Sequence, residues 1–197
     1  MPLYEYTCQK CEHTFEALVY DGEQVECPKC QSTRLERLIS LPGLAQVKAG
    51  AQAVQLFDSW SGALGPRDFA EFALPYIGEA ARIARSAGAP VIAFCPGSGW
   101  ALEEIARVTG ADVIGIDWQT DAAEARRRLP LDVVALQGNL DPCWLYASPG
   151  EIRQRTHRML EAFGCRGHIA NLGHGILPDV PVAHAKAFVD AVREWRP

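Results

Sequence analysis

The sequence predicts an α/β protein in two parts: a small β zinc ribbon, followed by repeated strand–helix units with parallel strands. Three observations carry this. Two Cys-x-x-Cys pairs, Cys8/Cys11 and Cys27/Cys30, open the chain and do not recur. From Ala51 onward, short apolar runs alternate with amphipathic stretches, the signature of parallel pairing with right-handed crossovers. Each of those runs ends, at its carboxyl end, in residues able to do chemistry.

The first element is the opening MPLYEYTCQKCEHTFEAL, whose Leu3, Tyr4, Tyr6, Phe15 and Leu18 predict short strands around the first knuckle. Asp21-Gly22 predicts a hairpin turn before the second knuckle, CPKC. The spacing brings four thiolates, Cys8, Cys11, Cys27 and Cys30, into one tetrahedral site suited to Zn2+. Two disulfides are the competing reading. They are disfavoured because no secretory leader precedes Cys8 and a chain of this length does not need staples. A module of about forty residues buries little surface, so the metal supplies most of its folding free energy, on the order of 10 kcal/mol. With Cys in all four positions none is left for water, and the site is expected to be structural. His13, beside the first knuckle, is expected to pack or face solvent rather than add a ligand.

Beyond residue 44 the apolar runs are AVQLFDS (53–59), VIAFCPG (91–97), VIGIDW (113–118), VVALQGNL (133–140) and HIANLGH (168–174). Continuous runs bounded by Gly, Pro or Asp predict strands buried on both faces. Between them, Arg67–Ala87 reads as a helix with Phe69, Phe72, Ile77 and Ile83 toward one side and Pro66 at its first position. Trp100–Thr109, Asp121–Leu129, Ser148–Phe163 and Val182–Trp195 supply further helices, and Ser148-Pro149-Gly150-Glu151 has capping-box spacing. The polar ends of the runs are Asp58 and Ser59, Cys95, Asp117, Gln137 and Asn139, then Asn171 and His174. In a barrel that rim is where the site is built; in an open sheet it is the switch-point crevice. Asp117 and Asn139 serve equally well as loop ties, and Cys95 reads as a packed thiol.

The totals set bounds. The net charge is −5, and even the ribbon has more acids than bases, which argues against nucleic acid as the main partner. No apolar run reaches transmembrane length. Cys95, Cys143 and Cys165 are scattered and expected to be reduced. The expected location is cytoplasmic.

MPLYEY, the two knuckles and the trailing RLISLPG resemble the FmdB-type regulatory zinc ribbons over residues 1–44. Glu12 and Gln31 stand where that family commonly has glycine. Residues 48–197 resemble the carboxyl-terminal half of uroporphyrinogen decarboxylase, through AGAQAVQLFDSWSGALGP, GADVIGIDW, ALQGNLDP and ANLGHGILPD. The resemblance implies an incomplete (β/α)8 barrel comprising the last five of eight units. It also implies a dimeric carboxy-lyase of haem and other tetrapyrrole synthesis that uses no metal or organic cofactor. Its substrate would be uroporphyrinogen, whose four acetate arms lose CO2 to give coproporphyrinogen. Ser59 in FDSWSG matches a serine that hydrogen-bonds a substrate carboxylate, and His174 in NLGHG matches a histidine that contacts a carboxylate and takes part in protonation. The chemistry suits both: a protonated pyrrole accepts the electrons that CO2 leaves behind, so the protein need only position, protonate and stabilise charge. His157, His168 and His184 need no such role. The methyltransferases of the same fold hold zinc with His-x-Cys on a barrel strand. Here Cys95 is present but Ala93 takes the histidine position, which disfavours a barrel zinc.

The ribbon stands where three barrel units should be, and the resemblance puts the family's catalytic aspartate, arginine pair and tyrosine in that absent part. Three readings follow. The chain works when complemented, by another polypeptide or in a homo-oligomer; or it is a truncated product without activity; or the ribbon is a regulatory or interaction module and the half-barrel its platform.

Overall fold

In the computed structural model, residues 3–18, 24–38, 46–47 and 49–196 are described. The chain divides into two units, Met1–Ala45 and Gln46–Pro197, each taken by itself below.

The first unit is a three-stranded antiparallel sheet in the order β2-β1-β3, with β1 Leu3–Cys8, β2 Thr14–Leu18 and β3 Leu35–Leu38. The first knuckle is itself the turn between β1 and β2, which pair from Leu3↔Leu18 to Thr7↔Thr14. Leu35–Leu38 pair as β3 on the other side of β1. Asp21-Gly22 lies outside the described residues.

The second unit holds five parallel strands, adjacent in sequence order: β4 Val54–Phe57, β5 Val91–Phe94, β6 Val113–Gly115, β7 Ala135–Leu140 and β8 His168–Leu172. The five predicted runs are thus the five strands. Between and after them lie α1 Leu74–Ser86, α2 Leu102–Thr109, α3 Ala122–Arg128, α4 Pro149–Phe163 and α5 Val182–Glu194. Their ends follow the chemistry of the chain. Asp121 accepts the Glu124 amide at 2.8 Å to start α3, Ser148 and Glu151 form the expected capping box on α4, and Gly110 ends α2 in the left-handed region.

All five helices belong to one side. Val54, Val91, Ala93, Ile114, Ile116 and Leu136 share a core with Leu74, Ala81, Leu102, Ile105, Met159 and Phe163. The period-2 register puts Gln55, Phe57, Phe94, Gln137 and Ile169 on the opposite face. One-sided helices on sequentially ordered parallel strands make the arc of a barrel, where a doubly wound sheet would have helices on both faces. The expectation of strands buried on both faces is therefore corrected. Phe57 is 66% and Ile169 44% exposed, because among the described residues no further strand of this sheet faces them.

The first helix also departs from its predicted form. After a helical turn at Pro66–Asp68, Phe69–Ala73 widens into a π turn before α1. Pro75 has no N–H to close an α-helical bond there. The change of register buries Phe69, Ala73 and Leu74 and leaves Phe72 outside at 61% exposure.

Candidate functional site

The metal-binding candidate is built by two knuckles with the same backbone. In the first, the Cys8 amide donates to His13 O at 2.9 Å and the Glu12 amide to Cys8 O at 2.8 Å. In the second, the Cys27 amide donates to Ser32 O at 3.0 Å and the Gln31 amide to Cys27 O at 2.8 Å. Each turn needs a left-handed residue, and Glu12 and Gln31 adopt it, both with φ +57°. That region favours glycine, so the two side chains put mild strain in the knuckles. The Cys8, Cys11, Cys27 and Cys30 sulfurs lie within 4.8 Å of one another, with Cys8–Cys30 at 3.5 Å and Cys11–Cys27 at 3.7 Å. A tetrahedron with Zn–S of about 2.3 Å has S···S edges of about 3.8 Å, so the cluster fits zinc. The distances are far too long for disulfides, and all seven cysteines are free.

Four thiols packed this closely do not ionise together. Burial opposes ionisation of Cys8, yet the amides of Lys10 and Cys11 and the neighbouring sulfurs bring it down to about 6. At Cys30 the amide near Ser32 favours the thiolate, but burial and the other three sulfurs push it up to about 12. A divalent cation is what allows all four to be thiolates. His13 stacks on Phe15 and is no part of the cluster.

At the C-terminal rim of the five-stranded sheet, the polar residues separate into two groups. Asp117, Asn139 and Ser61 are loop ties. Asp117 is 4% exposed. Its Oδ2 accepts the Gly97 amide at 2.6 Å, while Oδ1 accepts the amides of Gln119 and Thr120 at 3.1 Å and the Thr120 hydroxyl at 2.9 Å. Asn139 donates through Nδ2 to the carbonyls of Asp117 and Thr120 at 2.9 and 2.6 Å. Ser61 donates to Asp58 O or Pro96 O, at 2.9 and 3.2 Å. Beside it Gly62 lies so close to Gly97 that an added Cβ would fall 2.7 Å from the Gly97 Cα. Burial, with the nearby Asp58 charge, pushes the Cys95 thiol up to about 12, which leaves it an inert packed group.

The second group faces the open side. A cleft of about 340 Å³ lies on the face away from the helices, lined by Gln55, Phe57, Phe94, Gln137, Asn171, His174 and Ile176 together with glycine and aliphatic neighbours. Gln137 donates to Gln55 Oε1 at 3.2 Å across its floor. His174 is exposed on the turn after β8, its ring edge-on to Trp118 at 5.5 Å and 87°. Gly173 makes this possible, because a side chain there would collide with the Trp118 backbone. Ser59 is exposed on the turn after β4 and is not in the cleft wall; its neighbour Phe57 is. The two predicted residues therefore share the rim but sit on the two outermost strands. Sequence reasoning passed over Gln55, Phe57, Phe94 and Trp118. The i, i+2 spacing of Gln55 and Phe57 was the available signal. His168 and His184 are structural: His168 Nε2 is 2.7 Å from Gly138 O and its ring stacks on Phe163, and His184 Nδ1 is 2.7 Å from Leu145 O.

Among the lining residues, His174 is the one titratable side chain. The cleft thus offers amides, a proton carrier and aromatic faces, without a permanent cation.

A sequence profile of the family described as Uroporphyrinogen decarboxylase (URO-D) matches residues 37–195, four-fifths of the chain. The chain belongs to the uroporphyrinogen decarboxylase family. A profile for a zinc ribbon domain matches residues 1–39. The uroporphyrinogen decarboxylase of Hahella chejuensis is 51% identical over 155 residues, which cover 76% of this chain and 43% of the relative. That of Hydrogenovibrio crunogenus is 49% identical over 158 residues, covering 78% and 44%, and one from Yersinia pseudotuberculosis is 51% identical over 153. The chain therefore spans less than half the length of these decarboxylases. A methyltransferase from Methanosarcina mazei superimposes with a TM-score of 0.67 at 22% identity, over 77% of this chain and 44% of that one, a likeness of fold. Among the described residues no helix is long and apolar enough to cross a membrane.

Proposed function

We propose that the chain is the C-terminal part (residues 48–197) of a uroporphyrinogen decarboxylase-type carboxy-lyase, joined to a zinc ribbon (residues 1–44) and active when complemented. The reaction would remove CO2 from the acetate arms of uroporphyrinogen to give coproporphyrinogen. The observation that carries this is His174, standing in the wall of an open cleft at the C-terminal rim of strands that match family members at about half identity. His174 would hold a substrate carboxylate when charged and pass a proton near neutral pH. Ser59 would donate a hydrogen bond to a carboxylate from the other side of the rim, and the decarboxylation would need no metal or organic cofactor. A polycarboxylate needs cationic partners, which this cleft does not supply. They would come from a complementing barrel half or a homo-oligomer. Zn2+ held by Cys8, Cys11, Cys27 and Cys30 would be structural.

The test is incubation of the zinc-loaded chain, alone and complemented, with uroporphyrinogen under reducing conditions, separating products by carboxyl number. Hepta- through tetracarboxylate products, lost in His174→Ala, are expected of the complemented protein. Substrate recovered intact in both arms would sink the reading. A second reading, a non-catalytic zinc-ribbon regulatory protein with the half-barrel as platform, draws on the matched 43% of the relatives' length.

A further inference from the structure

We propose that the open face and both free edges of the half-barrel form a docking surface for one occupant: a polypeptide of three β/α units. Its first strand would pair with β8 and its last with β4. This rests on the family reading above and adds the partner's size and seating.

Strand number selects the occupant. β4 to β8 are five neighbouring parallel strands, and a (β/α)8 barrel closes with eight at a fixed tilt and stagger. Three strands complete it; the five of a second copy do not. More than half of each matched relative lies outside the match, room for three such units.

The edges have the right hydrogen-bonding groups. The amides of Val54 and Asp58 donate to β5, at Pro90 O and Phe94 O. In a parallel ladder the alternate residues, Gln55 and Phe57, then point their N–H and C=O outward. At the other end β8 meets β7 through Gly167 O and the Gly173 amide, which turns Ala170 outward. Such edges are templates for pairing.

Exposed apolar side chains lie at both of these seams. Beside β4 lies a groove of about 540 Å³, rimmed by Trp60, Phe72 and Tyr76, which are 81%, 61% and 70% exposed. A preceding helix of the barrel's outer layer would fill it. On β8 and in the segment after it, Ile169, Ile176 and Val182 are 44%, 51% and 85% exposed. Patches at both ends of one sheet, facing the gap that closure would fill, mark an interaction site.

The test is to co-express the full chain with the three-unit N-terminal portion of the Hahella chejuensis decarboxylase and to measure the mass of what co-purifies. A one-to-one heterodimer is expected, with amide exchange at Gln55 and Phe57 slowed about tenfold or more. Tyr76→Asp and Val182→Asp, both at solvent-exposed positions, should each weaken the complex about tenfold or more, while Glu104→Lys on α2 leaves it within about twofold. A folded chain that never co-purifies with the three-unit portion, or a homodimer that persists in its excess, would overturn the proposal. A heterodimer without decarboxylation would leave the docking standing and refute the proposed function instead.

Discussion

Replacing Asp117 separates a structural carboxylate from a catalytic one. In Asp117→Ala the Gly97, Gln119 and Thr120 amides and the Thr120 hydroxyl all lose their acceptor. Hydrogen bonds to a charged group contribute roughly 1.5–3 kcal/mol each, and a donor left buried costs about 1–3 kcal/mol. Gln119 is exposed and Thr120 half-buried, so those donors can turn to water at small cost. The Gly97 amide, under the packed Gly62 turn, has less access. The sum is a loss of about 3–4 kcal/mol, a large share of the 5–15 kcal/mol typical of a folded domain. Asp117→Asn keeps one carbonyl acceptor but turns its amide nitrogen toward donors, for a loss of about 2 kcal/mol. Urea unfolding of the full chain, followed by far-UV circular dichroism, reads both directly. If both variants unfold within about 0.5 kcal/mol of the wild type, the carboxylate does not hold the rim, and the hydrogen-bond reasoning fails. A loss confined to turnover in the complemented enzyme would assign Asp117 to the substrate instead.

Chelating the metal, or Cys27→Ser, should unfold the ribbon, removing about 10 kcal/mol of binding free energy, while the half-barrel transition stays in place. Native mass spectrometry should count one zinc per chain, retained in Cys95→Ser. Gly62→Ala should cost about 2–3 kcal/mol, because its Cβ meets the Gly97 Cα at 2.7 Å and Pro96 O at 2.8 Å, both backbone; a urea midpoint equal to wild type would refute the close approach. His168 is held below its ordinary value, chiefly by burial and further by Arg126, with the Gly138 carbonyl opposing. Its neutral form is therefore favoured on folding. That stability is complete above the unfolded histidine value, about 6.5, and is lost as pH falls from there through the lowered folded value. Unfolding midpoints at successive pH values should show this decline, flattened in His168→Gln.

The strands and helices were legible because each carries its own punctuation. Pro66, Asp121, Ser148 and Gly110 mark helix ends by chemistry that acts within a few residues. The four thiols were legible for the same reason: a knuckle is a local turn. Exposure of the strand faces was not, since Phe57 and Ile169 are apolar at positions a closed barrel would bury, and only the absent neighbours decide their fate. Nor could the sequence sort Asp117 and Asn139 from His174. All three end apolar runs, and the difference lies in whether a backbone group from another loop reaches the side chain: the Gly97 amide donates to Asp117, and the Asp117 and Thr120 carbonyls accept from Asn139.

The rim turns brace one another in succession. Ser61 and Gly62 lean on Pro96 and Gly97, the Gly97 amide binds Asp117, Asn139 holds the Asp117–Thr120 turn, and Gly173 seats against Trp118. Every link in this series lies between Asp58 and His174. Exchanging whatever precedes β4 for unrelated sequence severs none of them, so the boundary before Val54 is a seam along which genes could recombine without dismantling the scaffold that aims His174.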